Sequence, residues 1–155
     1  DYGGAGPLRR LRKATPSLSG FVMLLAASGR TAGLGHHNVL FPERYDDEFD
    51  AIFGRDPRPV ADPTIYICSP VDPAMRPDTE HESWFVLVNA PRHQPKTGVN
   101  WASPHTVTHY ASHILDVLAR RGYDIRSRIR WQHVRSPRGW PLCWKKKRVI
   151  PLAIG

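Results

Sequence analysis

The sequence predicts an α+β fold: a mixed or antiparallel sheet with helices on one face. Three observations predict it. Five short runs have strand composition (20–27, 38–41, 64–68, 84–89 and 129–134), and two segments between them carry a helical period. Their order, β-β-α-β-β-α-β, lacks the strict alternation that builds a parallel sheet. With 155 residues, 41% of them apolar and five Trp, the chain has enough material for one real core.

Gly20–Ala27 (GFVMLLAA) is a continuous apolar run whose length and flanking Gly and Ser suit a strand buried on both faces. Gly29, Gly33 and Gly35 then mark a loop, and Asn38–Phe41 forms a second short strand. Pro42–Phe53 reads as an amphipathic helix. Pro42 occupies its first turn, where the missing N–H costs nothing, and Gly54 stops it. Tyr45, Phe49, Ile52 and Phe53 fall on one face, expected to be the packed one, and Asp46, Asp47, Glu48 and Asp50 are expected to be its solvated side. Pro57, Pro59 and Pro63 keep the next segment extended. Thr64–Cys68 (TIYIC) and Trp84–Asn89 (WFVLVN) are rich in β-branched and aromatic residues and read as an antiparallel pair joined by a proline-rich loop. Ser103 caps a second helix with Pro104 at its first position; Val107, Tyr110, Ala111, Ile114, Leu118 and Arg121 recur along one side, and Gly122 ends it. Ile129–Val134 completes the sheet. No internal repeat is present.

Three segments follow from composition: a basic segment at 1–13, the folded part at 14–135, and a divergent basic tail at 136–155 without an acidic residue. Arg9, Arg10, Arg12 and Lys13 outnumber Asp1 by three. Arg138, Lys145, Lys146, Lys147 and Arg148 add five, so residues 14–135 are neutral in sum although the chain carries +8. The charge belongs to the ends. It allows peripheral contact with anionic lipid but comes with no aromatic interleaving of a nucleic-acid surface, and no nucleic-acid partner is expected. No apolar run reaches the roughly 18 residues of a membrane span, and no signal-peptide pattern opens the chain. Two distant cysteines, Cys68 and Cys143, form no metal motif and fit a reduced, cytoplasmic setting.

The chemistry-bearing residues are eight His and the loop arginines. His105, His109 and His113 recur every fourth residue on the second helix, opposite its apolar side, and are expected to be a solvated row with no carboxylate or thiol to complete a metal site. His36 and His37 sit at a loop-to-strand junction. Strand alternation would send one to a pocket and the other to the far side of the sheet. Ser17–Gly20 lacks the frame of a nucleophile elbow. The glycine-rich opening, Asp1–Gly6, has neither the preceding strand nor the third glycine of a dinucleotide-binding turn. No metal ligand set, no cofactor-binding residue and no catalytic residue is assigned.

Six blocks in fixed order carry a likeness to a known family: Thr15–Phe21 (TPSLSGF), Gly33–Phe41 (GLGHHNVLF), Tyr45–Phe49 (YDDEF), Asp62–Tyr66 (DPTIY), Asp72–Met75 (DPAM) and Trp84–Pro91 (WFVLVNAP). Together they make the chain, from about residue 10 to about 135, resemble the phytoene desaturase-like (carotenoid desaturase) branch of FAD-dependent oxidoreductases. The resemblance implies the substrate domain of an amine-oxidase-like flavoprotein. It implies FAD in the full-length protein, a hydrophobic polyene or isoprenoid substrate, and hydride removal from a polyene C–C bond. It also implies a chain that carries the middle of such a protein, without either flavin-binding segment, so that FAD is not expected to bind it alone and it is expected to be inactive by itself. The tail reads as a frameshifted or mispredicted end. His37, Phe41, Phe85 and Leu87 are the candidate substrate-lining residues. The alternative of a different class is a non-enzymatic module that binds a lipid or a partner chain through an exposed sheet face.

Overall fold

A computed structural model describes residues 17–76 and 78–138. The basic segment at 1–13, the glycine-rich opening, most of the tail and Cys143 lie outside the described residues. Five strands form one sheet: β1 (Ser19–Ser28), β2 (His37–Leu40), β3 (Ile65–Cys68), β4 (His81–Ala90) and β5 (Ile129–Arg135). The order across it is β2-β3-β4-β1-β5, and every pairing is antiparallel. Of the mixed and antiparallel alternatives, the antiparallel one holds. Two helices accompany the sheet: α1 (Asp46–Phe53), between β2 and β3, and α2 (Pro104–Arg120), between β4 and β5.

The centre is the β1–β4 pair, in register over ten residues from Ser19↔Ala90 to Ser28↔His81. Strand alternation divides these residues between two faces. Phe21, Met23, Leu25 and Ala27 of β1 and Trp84, Val86, Val88 and Ala90 of β4 lie on one face and are almost completely buried, joined by Ile65 and Ile67 of β3. α2 covers this face with Tyr110, Ala111, Ile114, Val117 and Leu118. Each large side chain so buried contributes about 1.5–3 kcal/mol. The run 20–27 is therefore not buried evenly: Leu24 and Ala26, pointing the other way, are half-buried. The loop before α2 seals one end, where Phe21, Trp101 and Tyr110 pack ring on ring at 5.0–5.6 Å and the Trp101 indole donates to the Pro91 carbonyl at 2.8 Å.

α2 begins as its sequence dictates. The Ser103 hydroxyl accepts from the Thr106 N–H, Pro104 fills the first position, and Gly122 follows the end at φ 89°. Arg121, read as part of the apolar recurrence, is a clamp instead. Its guanidinium donates to the Leu40 carbonyl at 3.0 Å and pairs with Asp62 at 2.6 Å, fixing the helix end to the edge of the sheet.

α1 departs from expectation. It starts at Asp46, not Pro42, and Pro42 is buried in the turn before it. Its buried side is Glu48, Ala51 and Ile52, while Tyr45, Phe49 and Phe53 stand out in solvent. The expected wet face is right for Asp46, Asp47 and Asp50 and wrong for Glu48, which is 1% exposed. The reason is local. The Glu48 carboxylate accepts from the Thr64 N–H, just before β3, at 2.8 Å and from the Asn89 amide, near the end of β4, at 2.7 Å. Those two donors would otherwise be left unpaired where strands begin and end. α1 thus packs at one end of the sheet rather than beside α2 on the covered face. Its aromatic residues pair with one another, and with Phe41, at centroid distances of 6.0, 5.2 and 6.4 Å along an exposed row.

Candidate functional site: the uncovered sheet face

The strand registers place residues in rows across the face that α2 leaves free. One row runs His37, Cys68, Phe85, Leu24, His133; the next runs Val39, Tyr66, Leu87, Val22, Arg135. A third joins Ser83, Ala26 and Trp131. Val22 is buried, but Leu24, Ala26, Cys68, Phe85 and Leu87 are only half-buried and Val39 and Trp131 are 50% and 40% exposed. α2 does not cover them; it packs on the opposite face. A shallow concavity of about 240 Å³ opens here between Leu24, Ala26, Cys68, Pro70, Phe85 and Trp131. Its lining is apolar, as a wall for a hydrophobic ligand requires.

Three of the four candidate lining residues, His37, Phe85 and Leu87, share this face. Phe41 lies one residue past β2, outside the paired rows, 66% exposed with its ring edge-on to Tyr45. Sequence reasoning missed Leu24, Ala26, Tyr66, Cys68 and Trp131. The signal that finds them is strand alternation combined with register, and register is set by pairing partners distant in sequence.

The His36–His37 pair also differs from expectation. The two rings do not point to opposite faces; their centroids are 4.5 Å apart. Alternation holds only inside a strand, and His36 precedes β2 in a bend, its carbonyl accepting from the Ser69 N–H. Asn38 fixes that bend by accepting from the Gly35 N–H and donating to the Gly35 carbonyl, both at 2.8 Å. His37 Nδ1 lies 2.8 Å from the Tyr66 hydroxyl. Burial, and then the neighbouring Cys68 thiol, push the Tyr66 phenol above its ordinary range. Ligand atoms of His36, His37 and Cys68 fall within 4.8 Å of one another.

His105 and His109 are exposed and stacked at 6.0 Å, as a solvated row should be. His113 leaves that row: it is half-buried, its Nε2 donating to the Ala61 carbonyl at 2.6 Å. Opposite the apolar concavity, on the buried face, Glu82 is 4% exposed and accepts from the Thr31 N–H, the Thr31 hydroxyl and Arg128. That network ties the loop after β1 to the start of β5.

The described residues do not suit a dinucleotide. Such a site needs a strand, a glycine turn and a helix N-terminus in succession, so that backbone N–H groups meet the pyrophosphate. Here the glycine loop after β1, with Gly29 and Gly33 at φ 72° and 81°, leads into another strand. Among the described residues no helix is long and apolar enough to cross a membrane.

The described residues form an antiparallel sheet with one face packed and the other presenting an apolar concavity. The chain has relatives among carotenoid desaturases and oxygenases. It is 33% identical over 133 residues to a phytoene desaturase of Neurospora crassa, covering 83% of this chain and 22% of the relative. It is 31% identical over 127 residues to a 4,4'-diaponeurosporene oxygenase of Staphylococcus haemolyticus (79% and 24%). With a carotenoid 3,4-desaturase of Haloarcula japonica it shares 32% over 114 residues (72% and 21%). No family model matches the chain. The chain is carotenoid and phytoene desaturase-like, and it spans less than a quarter of the length of these relatives.

Proposed function

We propose that this chain is the substrate-facing part of a carotenoid desaturase-like flavoprotein, and that its uncovered sheet face is one wall of the channel that holds the polyene. One observation carries the reading: His37, Phe85 and Leu87, singled out from sequence, line up by register with Leu24, Ala26 and Trp131 on one apolar, uncovered face. A flat, conjugated hydrocarbon needs such a surface. Contact with it removes apolar area from water at about 25 cal/mol per Å² without asking for polar partners. The relatives whose names specify a carotenoid or phytoene support the ligand class.

The chemistry of the whole protein, hydride removal from a C–C bond with FAD as acceptor, requires a flavin that the described residues do not suit. This chain's own contribution is to bind and orient the hydrocarbon and to keep water from it. By itself the chain turns nothing over. Its basic ends supply peripheral contact with anionic lipid, where such a substrate resides.

The test is tryptophan emission of the full chain titrated with a detergent-solubilised conjugated carotenoid. Trp131 lines the concavity, so saturable quenching is expected, and Leu87→Glu should weaken it at least tenfold. Equal quenching of the wild type and Leu87→Glu would contradict the reading. So would flavin-dependent turnover by the chain alone.

A further inference from the structure

We propose that His36, His37 and Cys68 form a three-ligand site for a borderline-soft divalent ion, Zn²⁺ foremost, with the Tyr66 hydroxyl as its outer partner. The site lies at the rim of the uncovered face and shares His37 and Cys68 with the proposed wall, but it rests on ligand geometry and not on the substrate reading.

Four observations converge on it. The ligand atoms of the three residues already lie within 4.8 Å of one another. Around a tetrahedral zinc, neighbouring N and S ligands sit roughly 3.5 Å apart, so a small side-chain rotation closes the set. The donors come from two segments that the backbone holds together: His37 faces Cys68 directly in the β2–β3 register, and the Ser69 N–H to His36 carbonyl bond of 2.9 Å anchors the bend beside them. That bend is pre-set by the paired Asn38–Gly35 hydrogen bonds, and the Asn38 amide also reaches the Ile67 carbonyl at 3.2 Å.

The donor set is chemically selective. Two imidazoles and one thiolate, with no carboxylate among them, suit zinc, cobalt or copper and discriminate against calcium and magnesium, which need oxygen. Finally, the His37 Nδ1–Tyr66 hydroxyl contact at 2.8 Å supplies the hydrogen-bonded partner that metal-bound imidazoles commonly have. Binding releases the Cys68 thiol proton and leaves the fourth position to solvent. The consequence is a clip: β2 is an edge strand of four residues, and the ion pins it and its leading loop to β3.

The ordinary alternative is that exposed His37 and half-buried His36 and Cys68 meet at a surface without a ligand. Cobalt separates the two. The full chain carrying Cys143→Ser, so that Cys68 is the sole thiol, is titrated with Co²⁺ and then Zn²⁺. The expected result is one ion per chain, with a thiolate-to-cobalt charge-transfer band and tetrahedral d–d bands that Zn²⁺ abolishes. Cys68→Ser should remove the charge-transfer band. His36→Ala should lower affinity at least tenfold, and Tyr66→Phe should lower it about 10–100-fold. The double variant His105→Ala/His109→Ala should change none of these. Far-ultraviolet circular dichroism keeps loss of fold distinct from loss of ligand. The proposal is overturned by the absence of a charge-transfer band at millimolar Co²⁺, by a band that survives Cys68→Ser, or by binding that depends on His105 and His109.

Discussion

Replacing Glu48 by Ala tests whether α1 is held by a buried carboxylate or merely rests at the sheet's end. The wild-type carboxylate accepts from the Thr64 N–H at 2.8 Å and the Asn89 amide at 2.7 Å and is almost wholly removed from water. Truncation leaves both donors without their acceptor, at about 1–3 kcal/mol for each buried group. Thr64 and Asn89 are half-buried, which lets water recover part of that loss, so the expected destabilisation is about 2–4 kcal/mol. Glu48→Gln keeps the volume and one acceptor oxygen but turns an NH₂ toward the other donor, and should cost about half as much. The assay is urea unfolding of the full chain followed by circular dichroism. With a slope of about 1–3 kcal/mol per molar urea, the Ala variant's midpoint should fall by roughly 1–2 M. An unchanged or raised midpoint for Glu48→Ala would show that the carboxylate is solvated and that the simple amphipathic reading of α1 is correct.

Three further outcomes follow from the same structure. Burial pushes the Tyr110 phenol upward, and its hydroxyl lies beside the Val60 backbone without a well-formed hydrogen bond. Because the folded value is raised, this group's stabilisation is complete below the ordinary tyrosine range near pH 10 and is lost as pH rises above it. Tyr110→Phe should flatten that alkaline loss and change stability by under about 1 kcal/mol at neutral pH; a larger loss would mean that a bond to Val60 is real. Arg128→Met should cost about 2 kcal/mol in urea unfolding, less than the 3–5 kcal/mol of a fully buried pair, because the Arg128 side chain is 28% exposed while Glu82 is 4% exposed; an effect within 0.5 kcal/mol, on the order of surface-substitution scatter, would deny the network any structural weight. At Gly54 an added Cβ would stand 2.3 Å from the Asp50 carbonyl oxygen, so Gly54→Ala should shift the end of α1 and lower stability by about 1–3 kcal/mol, measurable by thermal unfolding; a neutral result would place that helix end elsewhere.

The element order and α2 were legible in the sequence because local chemistry writes them. The Ser103–Pro104 start, the recurrence from Val107 to Leu118 and the Gly122 stop act within a few residues of one another. β1 and β4 came out slightly longer than their apolar runs, since pairing extends strands over Ser28, His81 and Glu82, which have no strong propensity of their own. α1 was misread because apolar spacing identifies a stripe without saying what it packs against. Tyr45, Phe49 and Phe53 satisfy one another and Phe41, whereas Glu48 is drawn inward by two unpaired donors that are 16 and 41 residues away. The site divides the same way. His37, Phe85 and Leu87 could be proposed from likeness to a family, but Cys68 and Tyr66 join them only through the β2–β3 register, which local sequence does not encode.

In the proposed function, the face opposite α2 is the one that meets the hydrocarbon. Methyl-labelled NMR of the full chain, titrated with a solubilised carotenoid, reads both faces at once. Shifts are expected at Leu24, Ala26, Val39 and Leu87, with Ile67, Ile114, Val117 and Leu118 of the packed face unmoved. Shifts confined to the packed face, or spread evenly over both, would contradict the proposed function.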